Sequence, residues 1–228
     1  MAQHALNPNN PFFHEERHAS LAAFANRPIT LCGAGALGGT LAETLARLGF
    51  ACLKVIDRDR VAMRNLSTQP YSRAEVGAPK ARALATSLYR AVQAKVEPVV
   101  AELTTESAAD LLAGSALVVD AFDNRAARAA VSAAAQTSGL PCLHVGFSPD
   151  GLYGSAIWEP GYQVPHDAAG DPCDYPLTRP LVLVLAALTA RIVVAYLADG
   201  RRQDFEVTWR DLGVSAYTAP LQVDQNRP

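Results

Sequence analysis

Ile29-Thr30-Leu31-Cys32-Gly33-Ala34-Gly35-Ala36-Leu37-Gly38 leads through the apolar run Leu41 to Phe50 into Leu53-Lys54-Val55-Ile56-Asp57. The order is a short apolar strand, a glycine-rich turn, a helix, and a second apolar strand ending in an acid. Gly33 permits the sharp strand-to-helix turn. Gly35 lets backbone approach a phosphate with no Cβ in the way. Gly38 lets the helix pack closely. The helix N-terminus then offers unpaired N–H groups and a positive dipole end to an anion. Asp57 follows about 20 residues later, where an acid commonly bonds a ribose hydroxyl. The stretch is a nucleotide-binding βαβ unit. On the glycine turn alone, the reading is a dinucleotide-binding dehydrogenase.

Working outward, Pro28 ends an expected helix over His14 to Ala25 and opens the first strand. After Asp57 comes Asp59, then a polar loop through Asn65, Gln69 and Pro70. Pro79 suits the start of an Ala/Leu-rich helix from Lys80 to Gln93. Val96 to Leu103 reads as an edge strand because of Pro98. Thr105 to Leu112 reads as a helix, Ala116 to Ala121 as a buried parallel strand, and Ala126 to Ser138 as a helix capped by Gly139. Pro141 to Phe147 and Leu152 to Trp158 form an expected antiparallel hairpin around Pro149-Asp150-Gly151. A Pro-, Gly- and Asp-rich loop precedes an apolar helix from Pro180 to about Ala198, a half-exposed strand from Gln203 to Trp209, and a tail.

Alternating strands and helices give an α/β fold, a doubly wound, mostly parallel sheet of Rossmann type. The expected parts are an N-terminal tail and helix (1–27), a nucleotide-binding unit (28–158), a crossover loop (159–179), and a C-terminal helix, strand and tail (180–228) packed on the same domain.

The chain has 228 residues, half of them apolar and 18% charged, with net charge −2. That supports a sizeable core and argues against nucleic acid as a partner, since no Lys/Arg cluster stands out. The four cysteines are widely spaced with no C-x-x-C pair, which argues against paired-cysteine zinc. Cys32, Cys52 and Cys142 read as buried free thiols, consistent with a cytoplasmic protein. No secretory signal is visible, and the apolar run Leu181 to Leu197 reads as a buried helix rather than a membrane span.

Beyond Asp57 the chain shows Asp57-x-Asp59, Asn65-Leu66-x-x-Gln69, Gly77-x-Pro79-Lys80 and Asp120-x-x-Asp123-Asn124-x-x-x-Arg128. In this order the motifs resemble those of the ThiF/MoeB/HesA family, the ubiquitin-activating-enzyme-like adenylyltransferases. The resemblance covers roughly residues 15 to 158. It implies the adenylation fold, with ATP and Mg²⁺ in place of a nicotinamide cofactor. It implies adenylation of the C-terminal glycine carboxylate of a small ubiquitin-like or sulfur-carrier protein, and a homodimer.

By that resemblance Gly33, Gly35 and Gly38 approach the nucleotide and Asp57 takes the ribose. Asp59, Asn65, Gln69 and Asn124 line its site, Lys80 neutralises phosphate charge, and Asp123 holds Mg²⁺. Arg17 would reach a neighbour's site across the dimer, and Cys173, in the crossover loop, would be a candidate thiol nucleophile. The family's loop arginine is Thr68 here, with Arg64, Arg73 or Arg17 as candidate substitutes. The zinc cysteines are absent, and no rhodanese or ubiquitin-fold extension is expected. The rival readings are a non-catalytic nucleotide-binding partner, a tRNA-modifying adenylating enzyme and an NAD-dependent dehydrogenase.

Overall fold

The computed structural model describes residues 9–15, 25–165 and 176–217. One eight-stranded sheet runs through it in the order β3-β2-β1-β4-β5-β6-β7-β8. Five strands are parallel: β1 (Ile29–Cys32), β2 (Leu53–Ile56), β3 (Glu97–Val99), β4 (Leu117–Asp120) and β5 (Cys142–Phe147). Three more continue the sheet antiparallel: β6 (Tyr153–Trp158), β7 (Phe205–Thr208) and β8 (Gly213–Ala216). The strand order reverses between β1 and β4, and the carboxyl ends of the parallel strands open there into the crevice where ligands of such sheets sit.

The inner strands are apolar on both faces because helices cover both faces. All four residues of β1 and of β4 are buried. Side chains alternate along each strand. Leu31, Val119 and Leu143 therefore face one core, shared with α1 (Ala36–Arg47), α2 (Lys80–Val92) and α5 (Arg179–Asp199). Cys32, Val118 and Cys142 face the other, shared with α3 (Ala108–Leu112) and α4 (Arg125–Ser138).

Helix ends follow local chemistry. The Asn124 side chain caps α4 by accepting from the Ala127 N–H at 2.9 Å, and Gly139 closes that helix at φ 63°. Pro79 precedes α2, and Gly200 closes α5 at φ 76°.

Several sequence expectations change. The Val96–Leu103 run shortens to a three-residue edge strand, because Pro98 cannot donate to a further ladder. Cys52 is exposed, since it precedes β2 in the connecting loop and does not enter the sheet. β8 extends the sheet beyond the expected last strand. The expected helix over 14–25 falls largely outside the described residues. The apolar helix α5 is long and apolar enough, by length and composition, to cross a membrane, but half of its most apolar window is buried. Its buried face, through Leu181, Leu185 and Val193, belongs to the core that α1 also lines.

Candidate functional site

A cavity of about 1070 Å³ opens at the switch in strand order. The glycine turn forms its floor. Gly33 adopts φ +102°, and a Cβ there would lie 3.1 Å from the Ala121 carbonyl oxygen. A Cβ on Gly38 would lie 2.1 Å from the Gly33 carbonyl oxygen, so the turn closes only with glycine at that point. Gly38 thus shapes the turn from below and is not among the residues that line the cavity. Gly35 does line it, and a Cβ there would meet no atom of the described residues within 4 Å. This is the open approach that a bound phosphate needs.

Asp57, at the tip of β2, is buried. One carboxylate oxygen accepts from the Ala34 N–H and the other from the Asp59 N–H, both at 2.7 Å. Burial raises its pKa, although the Lys80 charge and these two amides pull the other way. Asp57 therefore braces the glycine turn from within. Each oxygen keeps a further lone pair, and Asp57 lines the cavity.

Lys80 begins α2 and is almost fully buried. Its ammonium donates to Asp59 at 3.1 Å, and its backbone N–H donates to the Asp59 carbonyl. Asn65, also buried, spends its side-chain oxygen on the Ala62 N–H at 2.8 Å. The side-chain oxygen of Gln69 is buried and has no hydrogen-bond partner among the described residues. An orphaned buried acceptor in the wall of a cavity fits a donor supplied by a ligand. Asp123 and Asn124 form the opposite rim at the tip of β4. Asp123 is exposed there, while Asn124 is engaged in capping α4.

Gly33, Gly35, Asp57, Asp59, Asn65, Gln69, Lys80, Asp123 and Asn124 thus line one cavity. Arg17 and Cys173 lie outside the described residues. Of the candidate substitutes for the loop arginine, Arg64 lines the cavity and Arg73 does not.

Sequence reading missed two features. The first is Arg179, at the start of α5. Its guanidinium donates to the Thr68 carbonyl at 2.6 Å and to the Thr40 hydroxyl at 3.0 Å, fixing the polar loop against α1. The second is an ionic cluster in the cavity wall. Asp120, His144 and Glu159 are all buried, and His144 bridges the two acids at 2.8 and 2.9 Å. Asp120 was read only as the first acid of the Asp120-x-x-Asp123 motif, and its pairing with His144 carried no local signal.

The ThiF family model matches residues 9–159. The chain belongs to the ThiF family. Over 119 residues it is 37% identical to the sulfur carrier protein ThiS adenylyltransferase of Bacillus subtilis, covering 50% of this chain and 35% of that protein. Over 123 residues it is 32% identical to the molybdopterin-synthase adenylyltransferase of Salmonella typhimurium, covering 53% and 49%. The matched part is thus less than half the length of either relative. Among solved structures, E. coli MccB with ATP superposes with a TM-score of 0.72 at 16% identity, covering 92% of this chain and 72% of that one. That likeness shows the ubiquitin-activating-type adenylation fold.

Proposed function

We propose that this ThiF family member is an ATP-dependent adenylyltransferase that activates the C-terminal carboxylate of a small ubiquitin-like or sulfur-carrier protein. The observation that carries the reading is Lys80, a buried ammonium in the wall of a cavity floored by a glycine turn. A carboxylate is a poor electrophile. Joining it to AMP, with pyrophosphate leaving, provides a good leaving group. The carboxylate oxygen attacks the α-phosphorus, and negative charge gathers on the phosphoryl oxygens. Preorganised cations and backbone N–H groups lower that barrier. Lys80 and Arg64 supply charge. The glycine turn and the start of α1 supply N–H groups, with Asp57 holding the turn in shape. Gln69 offers its unpaired oxygen to a nucleotide donor.

Mg²⁺ suits this donor set. Among the described residues no group of three or more His, Cys, Asp or Glu gathers to hold a metal unaided. A hard cation bound by one carboxylate plus substrate phosphates needs no such group. Asp123, on the rim, would be that carboxylate, and the ion would offset phosphate charge. Arg17 from a second subunit of a homodimer and thiol transfer through Cys173 belong to the same reading, as does a cytoplasmic setting.

A second reading, a nucleotide-binding partner without turnover, is favoured by Thr68. Arg179 grips the carbonyl of that residue and does not line the cavity, so it does not replace the missing arginine charge. ATP–pyrophosphate exchange with Mg²⁺ and a small carrier ending in Gly-Gly separates the readings. Carrier-dependent exchange is the expected result. ATP binding without exchange would select the partner reading, and binding of NAD alone would overturn both.

A further inference from the structure

The cluster around His144 has no role in that chemistry, yet it joins two parts of the cavity wall. Asp120 ends β4 and is followed directly by the rim that carries Asp123. In the sheet register Asp120 lies beside His144 of β5. Glu159 follows β6 and begins the segment 159–165. His144 Nδ1 lies 2.8 Å from Asp120, and Nε2 lies 2.9 Å from Glu159. The imidazole also stacks on Tyr162 of that segment, with ring centroids 3.7 Å apart and planes at 4°.

Other ties run the same way. Arg128 donates to the Tyr162 hydroxyl at 3.1 Å and to the Val145 carbonyl at 2.8 Å, and Arg125 donates to the Pro165 carbonyl at 3.1 Å. Tyr162, Pro165, Arg128 and His144 all line the cavity.

An imidazole whose two nitrogens each face an ionised carboxylate can satisfy both only by donating twice, which requires its cationic form. We propose that His144, as an imidazolium between Asp120 and Glu159, is a positioning residue that fixes segment 159–165 and Tyr162 as the far wall of the nucleotide cavity. This deepens the adenylyltransferase reading and rests on it. When His144 loses its proton, one of the two bonds becomes a lone pair facing a carboxylate. The segment then loosens and nucleotide affinity falls.

The charged and titratable groups around the ring support a cation there. Asp120 comes from β4, Arg128 from α4, Glu159 and Tyr162 from the segment, and Cys142 from β5 itself at 3.4 Å. Two acids balance Arg128 and a charged His144. Burial opposes the charge on His144, but the bonds to Asp120 and Glu159 outweigh it and raise its pKa. Ser132 and Gln136 hold the remaining faces of Glu159, and Arg202 donates to its carbonyl.

The test is ATP affinity by calorimetry across neutral and mildly alkaline pH, with exchange measured in parallel, for wild type, His144→Gln and Glu159→Gln. Wild-type affinity is expected to fall as pH rises above the ordinary histidine range. H144Q should bind about tenfold more weakly and show no such fall. In E159Q a neutral imidazole can donate to Asp120 and accept from the new amide, so binding should stay tight and the alkaline fall should vanish. Wild-type affinity in folded H144Q, or an unchanged alkaline fall in E159Q, overturns the proposal. If H144Q does not fold, E159Q alone decides. ATP binding without exchange in wild type would remove the adenylation reading while leaving the affinity test intact. No ATP binding at all would remove both.

Discussion

The Lys80 ammonium lies 3.1 Å from an Asp59 carboxylate oxygen, yet 7% of the Lys80 side chain is open to solvent against 51% of Asp59. The cation is held in the wall while its partner reaches toward the opening. A nucleotide phosphate can therefore meet a charge that is already desolvated and fixed, which is where electrostatic stabilisation is strongest. Lys80→Met is expected to lower the exchange rate by about 10²- to 10³-fold. Asp59→Asn should cost less, because its carboxylate is solvated. Pyrophosphate exchange kinetics check both.

The glycines separate by role. Gly38→Ala places a methyl against the Gly33 carbonyl, 2.1 Å away before any relaxation. It should destabilise the fold by about 1–3 kcal/mol, read by denaturant unfolding. Gly35→Ala meets open space and should leave the apo midpoint nearly unchanged while weakening ATP binding. Equal loss of stability in the two variants would contradict this assignment.

Stability should depend on pH through the His144 cluster. The raised pKa of His144 contributes stability that is fully present below the unfolded value of about 6.5 and is lost as pH climbs through the folded value. For Asp120, burial pushes the pKa up, but Arg128 and His144 bring it below normal. Glu159 is likewise lowered against its burial, by its bonds to His144, Ser132 and Gln136. These acids contribute stability above their unfolded values of about 4, lost as pH falls through the folded ones. The cluster stabilises most between roughly pH 4.5 and 6.5. Thermal unfolding across that range and beyond should show the midpoint falling on the alkaline side, and less steeply in E159Q.

Arg179→Met removes the donors to the Thr68 carbonyl and the Thr40 hydroxyl. A loss of about 1–2 kcal/mol is expected, with weaker ATP binding because Asn65 and Gln69 sit on the released loop. Calorimetry and thermal unfolding measure the two effects.

The turn from Cys32 to Gly38 and the two strands around it were legible because their geometry is set locally: glycine at a positive φ, apolar runs of strand length, a helix start. Lys80 and Asp123 were legible as motif members. Asp120, His144 and Glu159 were not legible as a unit. They meet through strand register and through the side of the sheet each one faces, and neither is written in local sequence. Cys52 was misread because apolar neighbours do not reveal that a residue stops one position short of its strand. β8 escaped because its burial follows no alternation: it pairs with β7 and, among the described residues, has no second neighbour. Arg179 gave no signal, since its partners are 111 and 139 residues away in the chain.

The grip of Arg179 has a practical corollary. It comes from beyond residue 159, where the family match stops. A shortened version cut after the β5–β6 hairpin would keep the motifs from Gly33 to Arg128 and still leave the loop of Asn65 and Gln69 untethered. The smallest portion fit for ligand work therefore runs through the long apolar helix.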